Sequence, residues 1–182
     1  MKMVKTTLAG VVVSALLSSA AMAASTDQGS GTITFKGTIV DAPCSIKPNS
    51  VKQEIPMGTI SNAAIRNDKT SVTPFSIELE GCDLQKYNED GTPANGQWSG
   101  VNVEFKGTTV GTDKKYLGVT ENVGIQLTHN GQPIIIDTPV KLSLKAGSQV
   151  LGFGAQVKAV DKTKAIPLTD FNTVANFSLT YD

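Results

Sequence analysis

The chain has 182 residues, with 16 basic and 16 acidic side chains, 1 histidine and 2 cysteines. This balance excludes the strongly basic surface with which proteins bind nucleic acid, and a single histidine is too few for a copper–zinc dismutase centre or a clustered zinc site. Gly, Thr, Val and Ile are plentiful and aromatic residues make up only 5%, which favours an all-β fold.

The first 23 residues have the pattern of a secretory signal peptide. Lys2 and Lys5 precede a short apolar run over residues 8–17, and Ala21 and Ala23 are the small residues of a cleavage site. The run is shorter than the roughly 20 residues that a membrane-spanning helix needs. We expect cleavage after Ala23, which removes two of the 16 basic residues and leaves 14 against 16 acidic ones in a one-domain chain.

Two cysteines remain in this exported chain, and the simplest prediction is a disulfide between Cys44 and Cys82. Exported proteins fold in an oxidising compartment, where a free thiol pair is disfavoured. The bridge would close a loop of 38 positions and stabilise the fold by about 4 kcal/mol in the chain-entropy model.

The first strand pattern of the mature chain covers residues 31–40. Gly31, Ile33, Phe35, Gly37 and Ile39 share one parity, and the residues between them are polar up to position 38. This alternation predicts a strand with one apolar and one polar face.

Further strand patterns follow at intervals typical of a sandwich or barrel. We predict strands at residues 53–57, 75–80, 101–107, 123–129, 134–136, 141–144, 150–160 and 174–181, and a short helical turn at residues 61–66. The pair Asn130 and Gly131 indicates a tight hairpin, because both residues tolerate positive φ.

The last strand pattern ends the chain, with Phe177, Leu179 and Tyr181 on one face. A strand in this position has a free end, and its open edge must be covered by something. The nature of that cover is the functional question that the sequence poses.

Residues 83–100 are polar and predict a surface loop. Tyr87 and Trp98 within it either form a binding surface or hold the loop against the body, and the second interpretation is the more typical one. His129 is predicted to be an exposed residue beside the hairpin turn.

Catalytic chemistry is not indicated. Glu78 and Glu80 share a strand face, which is more typical of a solvated surface than of a glycosidase pair. A Ser–His–acid triad would have to use His129, and the sequence has no nucleophile-elbow motif. We predict a protein that is not an enzyme and needs no metal or cofactor.

Three separated signatures resemble the pilin subunits of chaperone–usher fimbriae, and among them the major rod subunits of P pili and type 1 pili. They are the run over residues 31–44, the Gly-Cys-Asp at 81–83, and the ending over residues 175–182. The resemblance implies an incomplete immunoglobulin-like β-sandwich that lacks its final strand and is completed in trans by a donor strand. It also implies partners: a periplasmic chaperone that lends a strand, an outer-membrane usher, and other copies of the chain or other pilins, assembled in a fimbrium on the bacterial cell surface.

The resemblance also assigns roles to residues. The donor strand would run from Gly29 to Gly37 within an extension over residues 24–37, and the sandwich domain would cover residues 38–182. Ile33 and Phe35 would fill pockets of the groove, and Gly31 would mark a shallow spot where exchange begins.

At the other end of the chain, Phe177, Leu179 and Tyr181 would form the edge that the chaperone contacts. Asp182 departs from the family's frequent glutamine ending and adds a second negative charge. The resemblance leaves open whether the subunit is a major rod subunit or a minor adaptor. A self-contained secreted sandwich that binds a glycan or surface ligand through residues 83–100 is the alternative hypothesis.

Overall fold

The computed structural model describes residues 29–182, so the predicted signal peptide and residues 24–28 lie outside the described part. The chain divides into two units, with the boundary between Ile39 and Val40. Residues 29–40 of the described part form no helix or strand, and all their side chains are exposed.

The rest of the described chain is an all-β fold with two short helices, as the composition predicts. In chain order the elements are β1 (Ser45–Ile46), α1 (Pro48–Val51), α2 (Asn62–Arg66), β2 (Thr73–Cys82), β3 (Gln85–Tyr87), β4 (Pro93–Gln97), β5 (Gly100–Lys106), β6 (Thr109–Val110), β7 (Tyr116–Gly118), β8 (Val123–His129), β9 (Gln132–Pro133), β10 (Val140–Ser143), β11 (Gly147–Ala159) and β12 (Asn176–Tyr181).

The strands form two sheets and a hairpin. The larger sheet has the order β1–β2–β11–β8–β7–β6, with β9 paired to β8, and the smaller sheet has the order β10–β5–β12. Strands β3 and β4 pair with each other as a separate hairpin. All of these pairings are antiparallel.

Apolar residues alternate with polar ones along the strands, so each sheet has an apolar face. The two apolar faces pack against each other and form a common core. Phe75 and Phe153 of the larger sheet stack with ring centroids 5.5 Å apart. Phe105 of the smaller sheet meets them edge-on, at 6.1 Å from Phe75 and 5.1 Å from Phe153. Ile77 and Val101 lie beside this cluster and are almost completely buried. The predicted sandwich is therefore confirmed.

The predicted disulfide between Cys44 and Cys82 is present, with the two Cα atoms 4.1 Å apart. Cys44 immediately precedes β1, and Cys82 is the last residue of β2. Because Ser45 of β1 pairs with Glu80 of β2, the ladder places the two cysteines next to each other. Both are buried in the core.

Two predicted strands are wrong. Residues 53–57 form no strand, because Pro56 has no N–H to donate to a ladder and Gly58 turns the chain with a φ of 67°. Residues 134–136 also form no strand. Ile134 and Ile136 are buried, but their amides donate to the carbonyls of different segments, Leu127 and Lys114.

The loop predicted at residues 83–100 is more ordered than expected, since it contains the β3–β4 hairpin. The β8–β9 turn has the predicted form, with φ values of 50° at Asn130 and 77° at Gly131. Helix α2 forms where a helical turn was predicted, and the Ser61 side chain accepts a hydrogen bond from the amide of Ala64 as its N-cap. Among residues 29–182, no helix is both long and apolar enough to cross a bilayer.

We expect the double substitution Cys44→Ala and Cys82→Ala to lower the free energy of unfolding by about 4 kcal/mol, because the unfolded chain regains the entropy of the opened loop. Urea denaturation of the mature subunit measures this loss. Wild-type protein treated with a reductant serves as the control and should match the variant. An unchanged urea midpoint would show that the bridge does not stabilise the fold.

Candidate functional site

Strand β12 is an edge strand with one ladder. It pairs with β5 in the register Phe177 to Phe105, Leu179 to Val103 and Tyr181 to Val101. No strand within residues 29–182 pairs with its other side. The edge predicted at the end of the chain is therefore open, with its backbone groups available to a further strand.

A long groove of about 1680 Å³ opens beside this edge. Its floor is the apolar core, with Ile77 and Val157 from the larger sheet and Phe105 from the smaller one. One rim is formed by residues 50–60 and the other by residues 166–177. We call this feature the open groove. An apolar trough of this kind has the character of a site for a peptide or protein segment.

The three predicted edge residues share one face of β12 but differ in their relation to the open groove. Phe177 lines it. Leu179 and Tyr181 are half-buried and pack against the core, but they do not line the groove. Trp98, which directly follows β4, lies edge-on against Tyr181 with ring centroids 6.3 Å apart.

Trp98 therefore acts as a support for the last strand rather than as an exposed binding residue. Its amide donates to the carbonyl oxygen of Leu84 at 2.8 Å. The Lys86 ammonium lies 4.4 Å from the centroid of its ring, a cation–π arrangement. Tyr87 is 56% exposed, and its hydroxyl donates to the Asp83 carboxylate at 3.1 Å.

The predicted donor residues lie in the exposed segment before the sandwich. Ile33 is 79% exposed and Phe35 is 89% exposed, and Ile39 of the same parity is fully exposed. A Cβ atom added at Gly29, Gly31 or Gly37 would meet no other atom within 4 Å. Such large exposed apolar side chains on one parity are characteristic of a surface that becomes buried in an assembly.

The end of the chain is fixed by polar contacts. The Asp182 amide donates to the Gly100 carbonyl at 3.1 Å, and the Asp182 carbonyl accepts from the Ser99 amide at 2.9 Å. Its side chain accepts a hydrogen bond from Asn102 Nδ2 at 2.7 Å and forms an ion pair with Lys141 at 2.5 Å. Lys141 first, and Asn102 second, hold the pKa of the Asp182 carboxyl below its usual value.

Glu78 and His129, the residues considered for a catalytic role, form polar contacts with neighbouring residues. Glu78 forms an ion pair with Lys47 at 2.7 Å. His129 is half-buried rather than exposed as predicted, with Nδ1 2.8 Å from the Gly152 carbonyl and Nε2 2.9 Å from the Asn130 side chain. Within residues 29–182 there is no group of three or more metal-ligating side chains.

Sequence analysis missed the second rim of the groove. Residues 166–175 have no alternating pattern, yet Ile166 is buried and Phe171 packs against the core. The available signal is a few apolar residues, Ile166, Leu168 and Phe171, spread among polar ones. The contact between Asp182 and Lys141 was also missed, because the 40 residues between them give no pattern that would pair them.

The chain is similar in sequence to a known family of proteins. The family model described as "Fimbrial protein" matches residues 33–182. Fimbria A protein of Serratia marcescens is 33% identical over 168 residues, which cover 88% of this chain and 89% of the relative.

Two solved structures are similar in fold. The P pilus rod subunit PapA is 26% identical with a TM-score of 0.63, covering 78% of this chain and 100% of that chain. A chaperone–usher pilus structure that addresses rod uncoiling is 29% identical with a TM-score of 0.71, covering 85% of this chain and 97% of that chain.

The lowered pKa of Asp182 predicts an acid-dependent contribution to stability. A carboxyl group whose pKa is lowered on folding stabilises the fold above its unfolded-state pKa, ordinarily 3.8, and loses that contribution as the pH falls through its folded-state pKa. We therefore expect wild-type protein to be more stable than Asp182→Asn at neutral pH, and the difference to close in acid below about pH 4.

Urea midpoints of both proteins between pH 7 and pH 2 measure this difference. The other aspartates are common to both proteins and cancel in the comparison. A difference that is independent of pH would contradict the assignment.

Proposed function

Because the chain belongs to the fimbrial protein family, we propose that it is a structural subunit of a chaperone–usher fimbria and polymerises by donating its exposed N-terminal strand to the open groove of another copy. The observation that carries this proposal is the open groove beside the unpaired edge of β12. The position next to that edge is where the following strand of the smaller sheet would lie.

The exposed segment has the dimensions of the missing strand. In extended form, the nine residues Gly29–Gly37 span about 30 Å. Ile33 and Phe35 point to the same face of such a strand, because side chains two residues apart share a face. Ile39 has the same parity and is also exposed, so we extend the proposed donor strand through Ile39.

Strand donation would pair the open backbone edge of one molecule and bury the exposed apolar side chains of the other. The donor backbone would pair with the open edge of β12, and its apolar face would cover the floor of the open groove. Burial of Ile33 and Phe35 is worth roughly 3–6 kcal/mol before the cost of ordering. The antiparallel pairing throughout the sandwich favours an antiparallel donor, which would place Gly29 at the Tyr181 end of β12 and Gly37 beyond its Asn176 end.

A partner is also needed before polymerisation, because an unfilled groove leaves core residues and a strand edge open to aggregation. We propose that a periplasmic chaperone lends a strand first and that an outer-membrane usher directs the exchange. The similarity to the P pilus rod subunit supports a rod subunit over a minor adaptor. The division of the chain at Ile39 supports an N-terminal extension followed by one sandwich domain, after a signal peptide over residues 1–23.

The alternative, a glycan-binding sandwich with residues 83–100 as its recognition loop, is not favoured. Trp98 is occupied in contacts with Tyr181 and Lys86. The matching family and relative are named as fimbrial proteins, which also supports a role other than catalysis.

We expect Phe35→Asp to abolish SDS-resistant multimers of the mature chain, because a charge in the donor strand would be buried in the groove without a partner. Deletion of Gly29–Gly37 should have the same effect. Thr34→Asp is the matched control, because position 34 faces away from the groove and its variant should still polymerise. Electrophoresis without boiling measures the multimers. Multimers of normal size and yield from the Phe35→Asp variant would contradict the proposed donor strand.

We expect Tyr181→Ala to lower the amount of subunit that co-purifies with its chaperone, because the edge-on contact with Trp98 supports the end of β12. Tyr87→Ala is the control, since Tyr87 is an exposed tyrosine of the neighbouring hairpin. Affinity purification of a tagged chaperone from the periplasm measures the yield. Equal yields for the two variants would argue against a special role for Tyr181.

A further inference from the structure

Strand β12 faces a register problem that the middle strand β5, which is paired on both sides, does not have. Within residues 29–182 it has one ladder, with β5, and lies at the edge of the smaller sheet. A shift of one residue along β5 would turn Phe177, Leu179 and Tyr181 away from the core, because the side chains of a strand alternate between faces. A strand held by one ladder also has fewer contacts that oppose local opening.

The ion pair between Lys141 and Asp182 joins the two outer strands of the smaller sheet across its middle strand. Lys141 of β10 is in register with Asn102 of β5, and Asp182 directly follows β12, with its amide bonded to the Gly100 carbonyl. The Lys141 Nζ to Asp182 Oδ2 distance is 2.5 Å. Asn102 Nδ2 contacts the other carboxylate oxygen at 2.7 Å, so all three strands contribute.

Gly100 provides the space for this crossing. A Cβ atom at position 100 would lie 3.3 Å from Lys141 Cε and 3.4 Å from Asp182 Oδ2. The first contact is tighter than ordinary van der Waals packing of a Cβ atom, and the second lies at its lower limit. The absence of a side chain at position 100 therefore lets the two charged side chains meet above β5.

We propose that Lys141, Asn102 and Asp182 form a register lock that holds β12 in position for strand donation, with Lys141 and Asp182 as positioning residues. This inference rests on the proposed function. The lock acts on the side of β12 that faces β5 and leaves the opposite edge open. It therefore fixes the strand before the incoming strand has formed its ladder.

The register lock is expected to affect strand capture more than the global stability of the fold. The side chains of Lys141 and Asp182 are 68% and 37% exposed, and ion pairs so exposed contribute little to global stability. A slipped or frayed β12, in contrast, presents the wrong backbone groups to a donor. The effect of the lock should therefore appear in the rate of strand capture more than in the unfolding midpoint.

The experiment measures capture of a fluorescent peptide of residues 29–39 by the chaperone–subunit complex purified from the periplasm. We expect Lys141→Met to slow capture about two- to fivefold, the range that loss of an exposed pair allows. The double variant with Lys141→Asp and Asp182→Lys restores opposite charges and should recover the wild-type rate. At 1 M salt the difference between wild type and Lys141→Met should shrink, because the pair is screened.

Lys106→Met is the matched control, since it removes an exposed pair with Glu104 from the same sheet at the other end of β12. It should capture peptide at the wild-type rate, and its thermal midpoint should match that of Lys141→Met. Equal capture rates for Lys106→Met and Lys141→Met, or no recovery in the charge-swapped variant, would overturn the register lock. Failure of the wild-type complex to capture any peptide would instead contradict the proposed strand donation.

Discussion

The central feature of the structure is the outer edge of β12, with which no strand of the described residues pairs. Among the described residues 29–182, strand β12 has a partner on one side only, and the core beneath it is continuous with the open groove. A two-sheet sandwich closes when each face is covered and each edge is paired or protected. In this chain the smaller sheet stops one strand short of that condition, while an exposed segment at the other end of the protein has the pattern of the strand it lacks.

The groove also explains where the fold is irregular. Residues 50–60 and 166–177 form its rims, and neither rim pairs with a strand across the opening. The segment at residues 53–57 has strand-like composition but lacks a neighbour with which to form a ladder. β-propensity is realised through cross-strand neighbours, so an unfilled groove leaves such residues without regular structure.

Sequence patterns predicted the regular part of the fold well, for identifiable reasons. Strands β2, β5, β8 and β11 are long and alternate, and each pairs with neighbours whose pattern is equally clear. The cysteine pair and the Asn130–Gly131 turn rest on local chemistry that holds in any context. Ile134 and Ile136 misled the analysis because they alternate like a strand but are buried one at a time by different segments. Phe177, Leu179 and Tyr181 lie on one face, as predicted, but no periodicity connects Tyr181 to Trp98, against which it packs.

The position of the disulfide has a mechanical consequence. In a fibre joined by strand donation, a pulling force enters each subunit through the segment before Val40 and reaches Cys44 within a few residues. The bridge passes that force directly to Cys82 at the end of β2, so the loop between the two cysteines is bypassed and cannot be drawn out by tension. That loop contains the rim at residues 50–60 and most of β2. The part of the groove formed by residues 50–60 therefore stays within a closed covalent loop when the fibre is under tension.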